Sequence, residues 1–519
     1  MSLRGPLARR ALLVTTLVAA ACALTGPRLG GGEELREILD RARTAMGRAA
    51  FAAGSGTWCL TGRSAGRRSG ARFVDCVAVG GRFLRRTEGP TDRVRGYDGD
   101  VVWAVDGGAG PRTIGLDARP EELLEAWLTW GQWIDELDED AIRVDRARSR
   151  EGAVALELSL APAARATVWI DEERALPASW EVALAGGVER CVVEGWRSPA
   201  GFALPRKLVV HGVAGASTEL VLEDLEPASA AVSFAPPSDV VDPQLRFDAP
   251  QGELVVRPCR GGRMLVRASV DDAAEGWFLL DSGAGHGVID AELADALDWP
   301  VVGELALVGA AGASKATWRL GGEVALGPMR RRGSRWAAFD LQPLARALDL
   351  SIDGILGHDL LARAVVGLDF AAGRAWVADP RVWPGAEGEP LPVAFDGTAA
   401  CVRAAWEPDG EGWFRLDTGS DDTLAFHGPA AAQARRGVGR VFPVTVHGLG
   451  GAVHGWRGRL PAFEIAGQRV ERLPVTFLEE AGGAFERPSV AGNLGVGVLR
   501  RFRVTFDFPR GRVWLDPRK

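Results

Sequence analysis

Apolar and polar positions follow two different periods in the first 235 residues. In EELREILDRARTAMG, residues 33–47, the apolar residues Leu35, Ile38, Leu39 and Ala42 recur at spacings of three and four, which predicts an amphipathic helix. Later segments such as TWCLTG, ARFVDCVAV and VALELSLA alternate apolar and polar residues, which predicts antiparallel strands with one solvated face. A second helix is predicted over residues 120–137, where Pro120 opens PEELLEAWLTWGQWIDEL.

The unit at 34–235 resembles the LolA/LolB-type lipoprotein-carrier family. The resemblance is carried by RARTAMG, GYDGDVVWAVD, VWIDEERALP and WRSPAGFALP. It implies an open antiparallel sheet with helices, whose apolar cleft would hold an acyl chain, a lipoprotein or a peptide. A spacer or accessory domain without a ligand is the alternative.

Proline-rich passages divide the rest of the chain. A linker is predicted at residues 236–251, on the proline- and aspartate-rich stretch APPSDVVDPQLRFDAP that begins at Ala235. A second such passage, DPRVWPGAEGEPLP at 379–392, separates two segments of similar length, 252–384 and 385–519.

These two segments are copies of one pattern. GWFLLDSGAG, residues 276–285, matches GWFRLDTGSD, residues 412–421. Further along, GILGHDLLARAVVGLDFAAGRAWV from Gly354 matches GNLGVGVLRRFRVTFDFPRGRVWL from Gly492. Two spaced blocks in the same order indicate an internal duplication.

The duplicated region resembles the aspartic peptidase superfamily of pepsin and retropepsin. The resemblance implies a bilobed, all-β fold with short helices, in which each half supplies one catalytic aspartate, here Asp281 and Asp417. Two carboxylates in contact cannot both ionise, so in this family one activates a water while the other acts as the acid. The whole chain is therefore expected to be mainly β.

The residues after each aspartate have supporting roles in this scheme. Ser282 and Thr418 offer hydroxyls that can bond across the interface between the halves. Gly283 and Gly419 allow close approach of the backbones and present N–H groups to the carboxylates. Gly357 and Gly495 are expected beside the catalytic loop of their own half. His286, Asp421 and Asp422 follow the aspartates closely, and we interpret them as facing solvent.

Two glycine-rich stretches, LVGAAGASKATW and TVHGLGGAVHGW, occupy matching positions. The resemblance places a substrate-covering flap here, and the candidate flap residues are Gly309, Gly312, Gly448, Gly450 and Gly451. Ordinary hairpins are the alternative.

The N-terminus has the pattern of an export signal. Three arginines precede an apolar run from Ala11 to Leu24, and VAAAC ends at Cys22. We expect a signal peptide at 1–22, a tether at 23–33 and a location in the periplasm or cell envelope. Lipidation of Cys22, which would be the only attachment to a membrane, and a plain secretory signal are both compatible with the pattern.

Composition removes several classes of function. The 519 residues carry a net charge of −7, so the sequence does not indicate the basic surface that nucleic-acid-binding proteins use. The histidines lack HExxH spacing and the cysteines lack CxxC spacing, so neither a metal nor a cofactor is expected. Cys59 and Cys76 are candidates for a disulfide between neighbouring strands, and we expect a monomer.

The sequence therefore predicts an exported aspartic endopeptidase that hydrolyses polypeptides between Asp281 and Asp417. The alternative is a non-catalytic envelope protein that binds lipid, lipoprotein or peptide.

Overall fold

A computed structural model describes residues 31–518, apart from 54–55, 66–70, 89–92, 107–108, 162–163, 185–186, 213–214, 216, 229–231, 239–241, 272–273, 310–311, 449–450, 480–482 and 486. The predicted signal peptide, Cys22 and most of the tether lie outside these residues. Within them, no helix is both long enough and apolar enough to cross a membrane.

The described residues of the N-terminal unit form four α-helices and thirteen strands. The helices are α1 Gly31–Ala45, α2 Arg48–Ala53, α3 Ala118–Trp130 and α4 Trp133–Glu136. The strands are β1 Thr57–Ala65, β2 Arg72–Ala78, β3 Phe83–Thr87, β4 Arg93–Tyr97, β5 Val102–Asp106, β6 Arg112–Ile114, β7 Ile142–Val144, β8 Ala153–Leu160, β9 Ala164–Asp171, β10 Pro177–Leu184, β11 Gly187–Arg197, β12 Leu204–His211 and β13 Ser217–Pro227.

All thirteen strands form one antiparallel sheet in which β1 pairs with β13. Each strand otherwise neighbours the next along the chain, and the helical segment α3–α4 connects the two edge strands, β6 and β7. Leu39 of α1 and Leu124 of α3 are fully buried in the core that these helices form with the sheet. A disulfide joins Cys59 to Cys76, directly paired residues of β1 and β2, as the sequence suggested.

The second predicted helix differs from the structure in its bounds. It begins at Ala118, two residues before Pro120, and it is broken at Gly131, which adopts a left-handed conformation with φ of 69°. Glycine reaches that conformation without steric cost, so it ends α3 and lets α4 start in a new direction.

In the C-terminal region, the residues that the structure describes form five α-helices and twenty-four strands. The helices are α5 Ala291–Ala296, α6 Gln342–Leu348, α7 His358–Leu361, α8 Gly428–Arg436 and α9 Val496–Leu499. The strands of its first half are β14 Leu245–Phe247, β15 Gln251–Glu253, β16 Val256–Pro258, β17 Met264–Val270, β18 Ala274–Leu280, β19 Val288–Asp290, β20 Val301–Gly309, β21 Gly312–Leu320, β22 Glu323–Leu326, β23 Met329–Arg332, β24 Arg335–Phe339, β25 Gly354–Leu356, β26 Val365–Asp369 and β27 Arg374–Ala378. Those of its second half are β28 Val393–Asp396, β29 Ala399–Trp406, β30 Gly410–Leu416, β31 Leu424–His427, β32 Phe442–Gly448, β33 Gly451–Ile465, β34 Gln468–Leu478, β35 Val490–Leu494, β36 Phe502–Asp507 and β37 Arg512–Pro517.

The two halves fold into lobes with equivalent sheets. In lobe 1, β18 runs parallel to β25, β25 is antiparallel to β19, and β19 runs parallel to β24. In lobe 2, β30, β35, β31 and β34 repeat this pattern. A five-stranded sheet joins the lobes, because the hairpin β26–β27 of one pairs through β26 with β36 of the other. The mainly β fold class predicted from the sequence is confirmed.

The segment predicted as a linker is partly ordered into the sheet of lobe 1. Strand β14 pairs with β23, and Leu245 and Phe247 pack against the core of the lobes. Their alternation with Arg246 is a strand pattern too short to stand out among the surrounding prolines and aspartates.

The N-terminal unit packs against both lobes. Arg363 of lobe 1 donates to the Asp106 carbonyl at 2.8 Å. On lobe 2, the Ser489 amide donates to Asp117 at 2.9 Å, and Arg487 pairs with Glu121 at 2.5 Å. These contacts come from the start of α3 and the end of β5.

Candidate active site

Each predicted catalytic aspartate follows a buried strand of its lobe. Phe278 and Leu280 of β18, and Phe414 and Leu416 of β30, are almost fully buried, so the strand ends are held rigidly in the core. The amide of Asp281 donates to the Leu356 carbonyl at 3.1 Å, and the amide of Asp417 donates to the Leu494 carbonyl at 3.0 Å. The two loops are therefore anchored in the same way.

Reciprocal hydrogen bonds between the lobes join the two loops. The hydroxyl of Thr418 donates to the Leu280 carbonyl at 2.8 Å and accepts from the Ser282 amide at 2.9 Å. In mirror fashion, the Ser282 hydroxyl donates to the Leu416 carbonyl at 2.7 Å and accepts from the Thr418 amide at 3.2 Å. Both side chains are about 1% exposed, so these bonds are shielded from water. Each hydroxyl thus bonds to the backbone of the other lobe across the interface, as predicted from the sequence.

The two carboxylates meet at the centre of this interlock. A Cβ built on Gly283 would lie 2.9 Å from Oδ1 of Asp417 and 3.2 Å from Oδ1 of Asp281. The distance between these two oxygens is therefore at most the sum of those two distances. A Cβ on Gly419 would collide with the Asp281 carboxylate. Only glycine leaves the space in which both acids fit. The Gly283 amide donates to Asp281 at 2.8 Å, and the Gly419 amide donates to Asp417 at 3.2 Å.

Residues 266–360 and residues 404–498 each match the aspartyl protease family, so one match falls on each lobe. Each lobe is therefore similar to the aspartyl protease family over most of its length. No curated protein matches the chain. Among solved structures, a DUF1329 family protein from Desulfovibrio piger is 12% identical, with coverage of 39% of this chain and 96% of that chain and a TM-score of 0.29. A likeness of that size supports no conclusion about this chain.

Burial raises the pKa of both aspartates, and the charge of Asp417 adds to the rise at Asp281. Burial, and then the charge of Asp417, raises the pKa of Asp281 to about 7. Burial also raises the pKa of Asp417, but a hydrogen bond from Asn493 and the nearby charge of Arg415 oppose that rise. The ionised form is therefore better supported on Asp417, and Asp281 is the member that keeps its proton.

Asn493 is a site residue that the sequence analysis did not single out. Its Nδ2 donates to Oδ2 of Asp417 at 2.7 Å, whereas its own Oδ1 is buried without a hydrogen-bond partner. The signal was present in the repeat, because GNLG places a polar residue where GILG has Ile355. A polar residue inside an otherwise apolar strand that ends at a catalytic loop is a functional candidate.

Arg263 is a second residue that sequence reasoning missed. This buried side chain precedes β17, lies 3.4 Å from the carboxylate of Asp421 and lowers the pKa of Asp281 by its charge. A single arginine among 61 basic residues carries no pattern that would single it out.

Two of the three residues interpreted as solvent-facing are partly buried. His286 meets the ring of Trp318 edge-on, with centroids 5.0 Å apart. Asp422 accepts from Arg457 at 3.1 Å and from Thr476 at 3.2 Å, while Asp421 is exposed. The interpretation was wrong for His286 and Asp422, since their partners come from β21, β33 and β34, distant in sequence.

Gly357 and Gly495 lie beside the catalytic loop of their own lobe. A Cβ on Gly357 would clash with the carbonyls of Ala284 and His286, and one on Gly495 would clash with those of Ser420 and Asp422. The loops therefore pack directly on the backbone of these glycines.

The candidate flaps are hairpins in equivalent places. Gly309 pairs with Gly312 at the end of β20–β21, and Gly448 pairs with Gly451 at the end of β32–β33. Gly450 lies outside the described residues. The lobe 1 hairpin reaches lobe 2, because a Cβ on Gly483 would collide with the Gly309 carbonyl. This contact spans the two lobes, as a closed cover would.

A cavity of about 720 Å³ opens between the N-terminal sheet and lobe 1. Leu60, Phe73 and Leu220 of the sheet line it beside charged residues of the same sheet, among them Asp75, Arg85 and Arg95. Trp318 and Arg335 of lobe 1 also line it, whereas neither Asp281 nor Asp417 does. No cluster of three or more potential metal ligands occurs in the part of the chain that the structure describes.

Proposed function

We propose that this chain is an aspartic endopeptidase that hydrolyses peptide bonds of extended polypeptides at the pair Asp281 and Asp417. The observation that carries the proposal is the meeting of these two carboxylates, one from each aspartyl protease lobe, at loops held together by Ser282 and Thr418. A protein that only bound its ligand would have no need for two acids at such a short separation.

In this proposal each acid has a role of its own. Asp417, whose ionised form is stabilised by Asn493, takes a proton from a water held between the two carboxylates. As this water attacks the carbonyl carbon, protonated Asp281 gives its proton to the developing oxyanion, and the tetrahedral intermediate then expels the amine. The amine leaves with the proton that Asp417 received, while ionised Asp281 takes back a proton from a hydroxyl of the collapsing intermediate as the carboxylic acid product forms, so that the acid pair is restored for the next cycle.

The proposal is tested by replacing each acid without changing its shape. Asp281→Asn and Asp417→Asn should each lower kcat/KM for a mixed peptide pool by at least about 100-fold, since general acid–base catalysis contributes about that much. The matched control is Asp140→Asn, an exposed position in the N-terminal unit. Cleavage that survives both active-site substitutions would refute the peptidase.

We also propose export to the periplasm or cell envelope, with lipid attachment at Cys22 as the only link to a membrane. The support is the pattern of basic, apolar and small residues at 1–22. Fractionation of cells and mass analysis of the mature N-terminus would test this. A first residue other than Cys22 would rule out lipidation.

A non-catalytic binding role is the second candidate, and the cavity is the observation that favours it. Its apolar lining residues would contact an acyl chain, a lipoprotein's lipid or an apolar peptide segment at the N-terminal unit, beside the charged residues of the same lining. A fluorescent fatty acid added to the Asp281→Asn variant would distinguish the roles. Saturable binding with no proteolysis by the unmodified protein would favour the binder.

A further inference from the structure

The walls beside the two aspartates differ in chemistry although they are equivalent in register. In lobe 1, Leu279 of β18 pairs with Ile355 of β25. The same pairing in lobe 2 joins Arg415 of β30 to Asn493 of β35. Each pair lies next to a catalytic aspartate, so the duplicated halves no longer present the same surface to whatever lies between them.

The difference extends over a whole face of each sheet. In lobe 1 this face is an apolar cluster of almost fully buried residues, Leu265, Leu279, Val288, Ala337 and Ile355. The strand registers place the following residues at the equivalent positions of lobe 2: Cys401, Arg415, Ala425, Thr476 and Asn493. Three of the five positions have thus become polar.

This face borders the reacting groups. In lobe 2, the Asn493 side chain touches the Asp417 carboxylate, which places the face on the catalytic side of the sheet. In lobe 1, Leu305, Leu307 and Trp318 of the β20–β21 hairpin pack against the apolar cluster. The lobe 2 face adjoins the segment that this hairpin touches, since Arg415 donates to the carbonyl of Ala484, which follows Gly483 at the hairpin tip.

The polar face of lobe 2 has hydrogen-bonding capacity that the protein does not use. Arg415 donates to Asp396 and to the Ala484 carbonyl, both at 2.7 Å, so its charge is already compensated. In contrast, four buried atoms have no hydrogen-bond partner among the residues that the structure describes: Oδ1 of Asn493, Oδ1 of Asp396 and both ring nitrogens of His427. A buried polar atom without a partner is destabilising, and a ligand that supplies the partner removes that cost.

We propose that the substrates are polypeptides whose scissile bond joins an apolar residue, held against lobe 1, to a neutral hydrogen-bonding residue, held against lobe 2. This inference rests on the proposed peptidase function. An amide side chain such as that of glutamine donates an N–H that the free Oδ1 of Asn493 can accept. An acidic side chain has no such donor and would face the Asp396 carboxylate.

Four quenched-fluorescence peptides that differ only at the scissile bond test the inference: Leu-Gln, Gln-Leu, Leu-Leu and Gln-Gln. One of the two mixed peptides should be cleaved with a kcat/KM at least about 10-fold above that of Leu-Leu and of Gln-Gln, since a site that offers buried polar groups rejects an apolar replacement by that much or more. Equal or faster cleavage of Leu-Leu would overturn the inference while the peptidase function stands. If none of the four peptides, nor a mixed peptide pool, is cleaved, the proposed function fails and this inference fails with it.

The variant Asn493→Ile gives lobe 2 the residue that lobe 1 carries at the same register. Because Asn493 also holds Asp417, all four rates should fall, so the readout is the ratio of the preferred mixed peptide to Leu-Leu. That ratio should drop to near one. The reciprocal control is Ile355→Val, which keeps lobe 1 apolar and should leave the ratio unchanged. A ratio that survives Asn493→Ile would show that this wall does not select the side chain.

Discussion

At the scale of single residues, the raised pKa of Asp281 has a consequence for stability. The folded protein holds the Asp281 proton up to about pH 7, whereas an unfolded chain releases it near its ordinary value of 3.8. The unfolded state therefore binds fewer protons between these values, and stability falls as pH rises from about 4 to about 7.

Asp281→Asn removes this titration, so the variant should gain stability over the unmodified protein across that window. The gain should reach the order of 2–4 kcal/mol above pH 7 and should vanish below pH 4. Urea denaturation of both proteins at pH 4 and pH 7.5 measures it. A gain that is equal at both pH values would mean that Asp281 ionises normally in the folded protein.

Asn493 has an effect on the pH dependence of catalysis that a merely structural residue would not have. Its hydrogen bond favours the ionised form of Asp417, so Asn493→Ala should raise the pKa of that acid. The acid limb of the profile of kcat/KM against pH should then move to higher pH. In Asn493→Gln the longer amide can still donate, so the acid limb should lie between its positions in the unmodified protein and in Asn493→Ala. An acid limb that does not move in Asn493→Ala would contradict the proposed effect of Asn493 on Asp417.

At the scale of elements, the interlock between the two catalytic loops should be needed for stability. Thr418→Val keeps the shape of the side chain but leaves the Ser282 amide and the Leu280 carbonyl buried without partners. The free energy of unfolding should drop by about 2–4 kcal/mol, because each buried unpaired group costs about 1–3 kcal/mol.

The matched control for this substitution is Thr445→Val on the exposed β32–β33 hairpin, where the hydroxyl contacts only His454 among the described residues. Denaturation of both variants should show a large loss at position 418 and almost none at 445. Similar losses at the two positions would mean that the loops are held by packing rather than by these hydrogen bonds.

The arrangement of the strands explains which site residues could be predicted from sequence patterns. The repeated blocks placed the aspartates, hydroxyls and glycines, because these residues act next to their own strand and the repeat carries their spacing. The sequence patterns did not predict the surroundings of Arg263, His286 or Asp422, since the partners of these residues lie in other strands. Helix α3 also began before Pro120 and ended at Gly131, because a weak apolar pattern continues past the glycine that breaks it.

At the scale of the whole molecule, the N-terminal unit is joined to the lobe 2 segment that meets the β20–β21 hairpin. Arg487 pairs with Glu121 of α3, and it follows closely after Phe485, whose ring stacks on His427. The neighbouring Gly483 is in contact with the tip of the hairpin. The position of the N-terminal unit is thereby linked to the candidate cover of the active site through a few consecutive residues.

Breaking the pair between Arg487 and Glu121 should loosen this interface. Both side chains are about 15% exposed, so Glu121→Ala should cost about 1–3 kcal/mol of stability, since it leaves a partly buried arginine without its nearest acid. A double-mutant cycle with Arg487→Ala measures the coupling. The exposed pair of Arg36 and Glu139 is the control and should show a coupling below about 1 kcal/mol. Equal coupling for the two pairs would contradict the linkage.

The sequence by itself determined the duplication, the strand-rich fold and the identity of the two acids, because these depend on local spacing and on a pattern that occurs twice. Only the tertiary structure decided which residues surround those acids. Asn493 beside Asp417, the polar wall of lobe 2, the cavity and the docking of the N-terminal unit all arise from contacts between segments far apart in the chain. Hydrophobic periodicity records which face of an element is buried, but it does not record what that face is buried against.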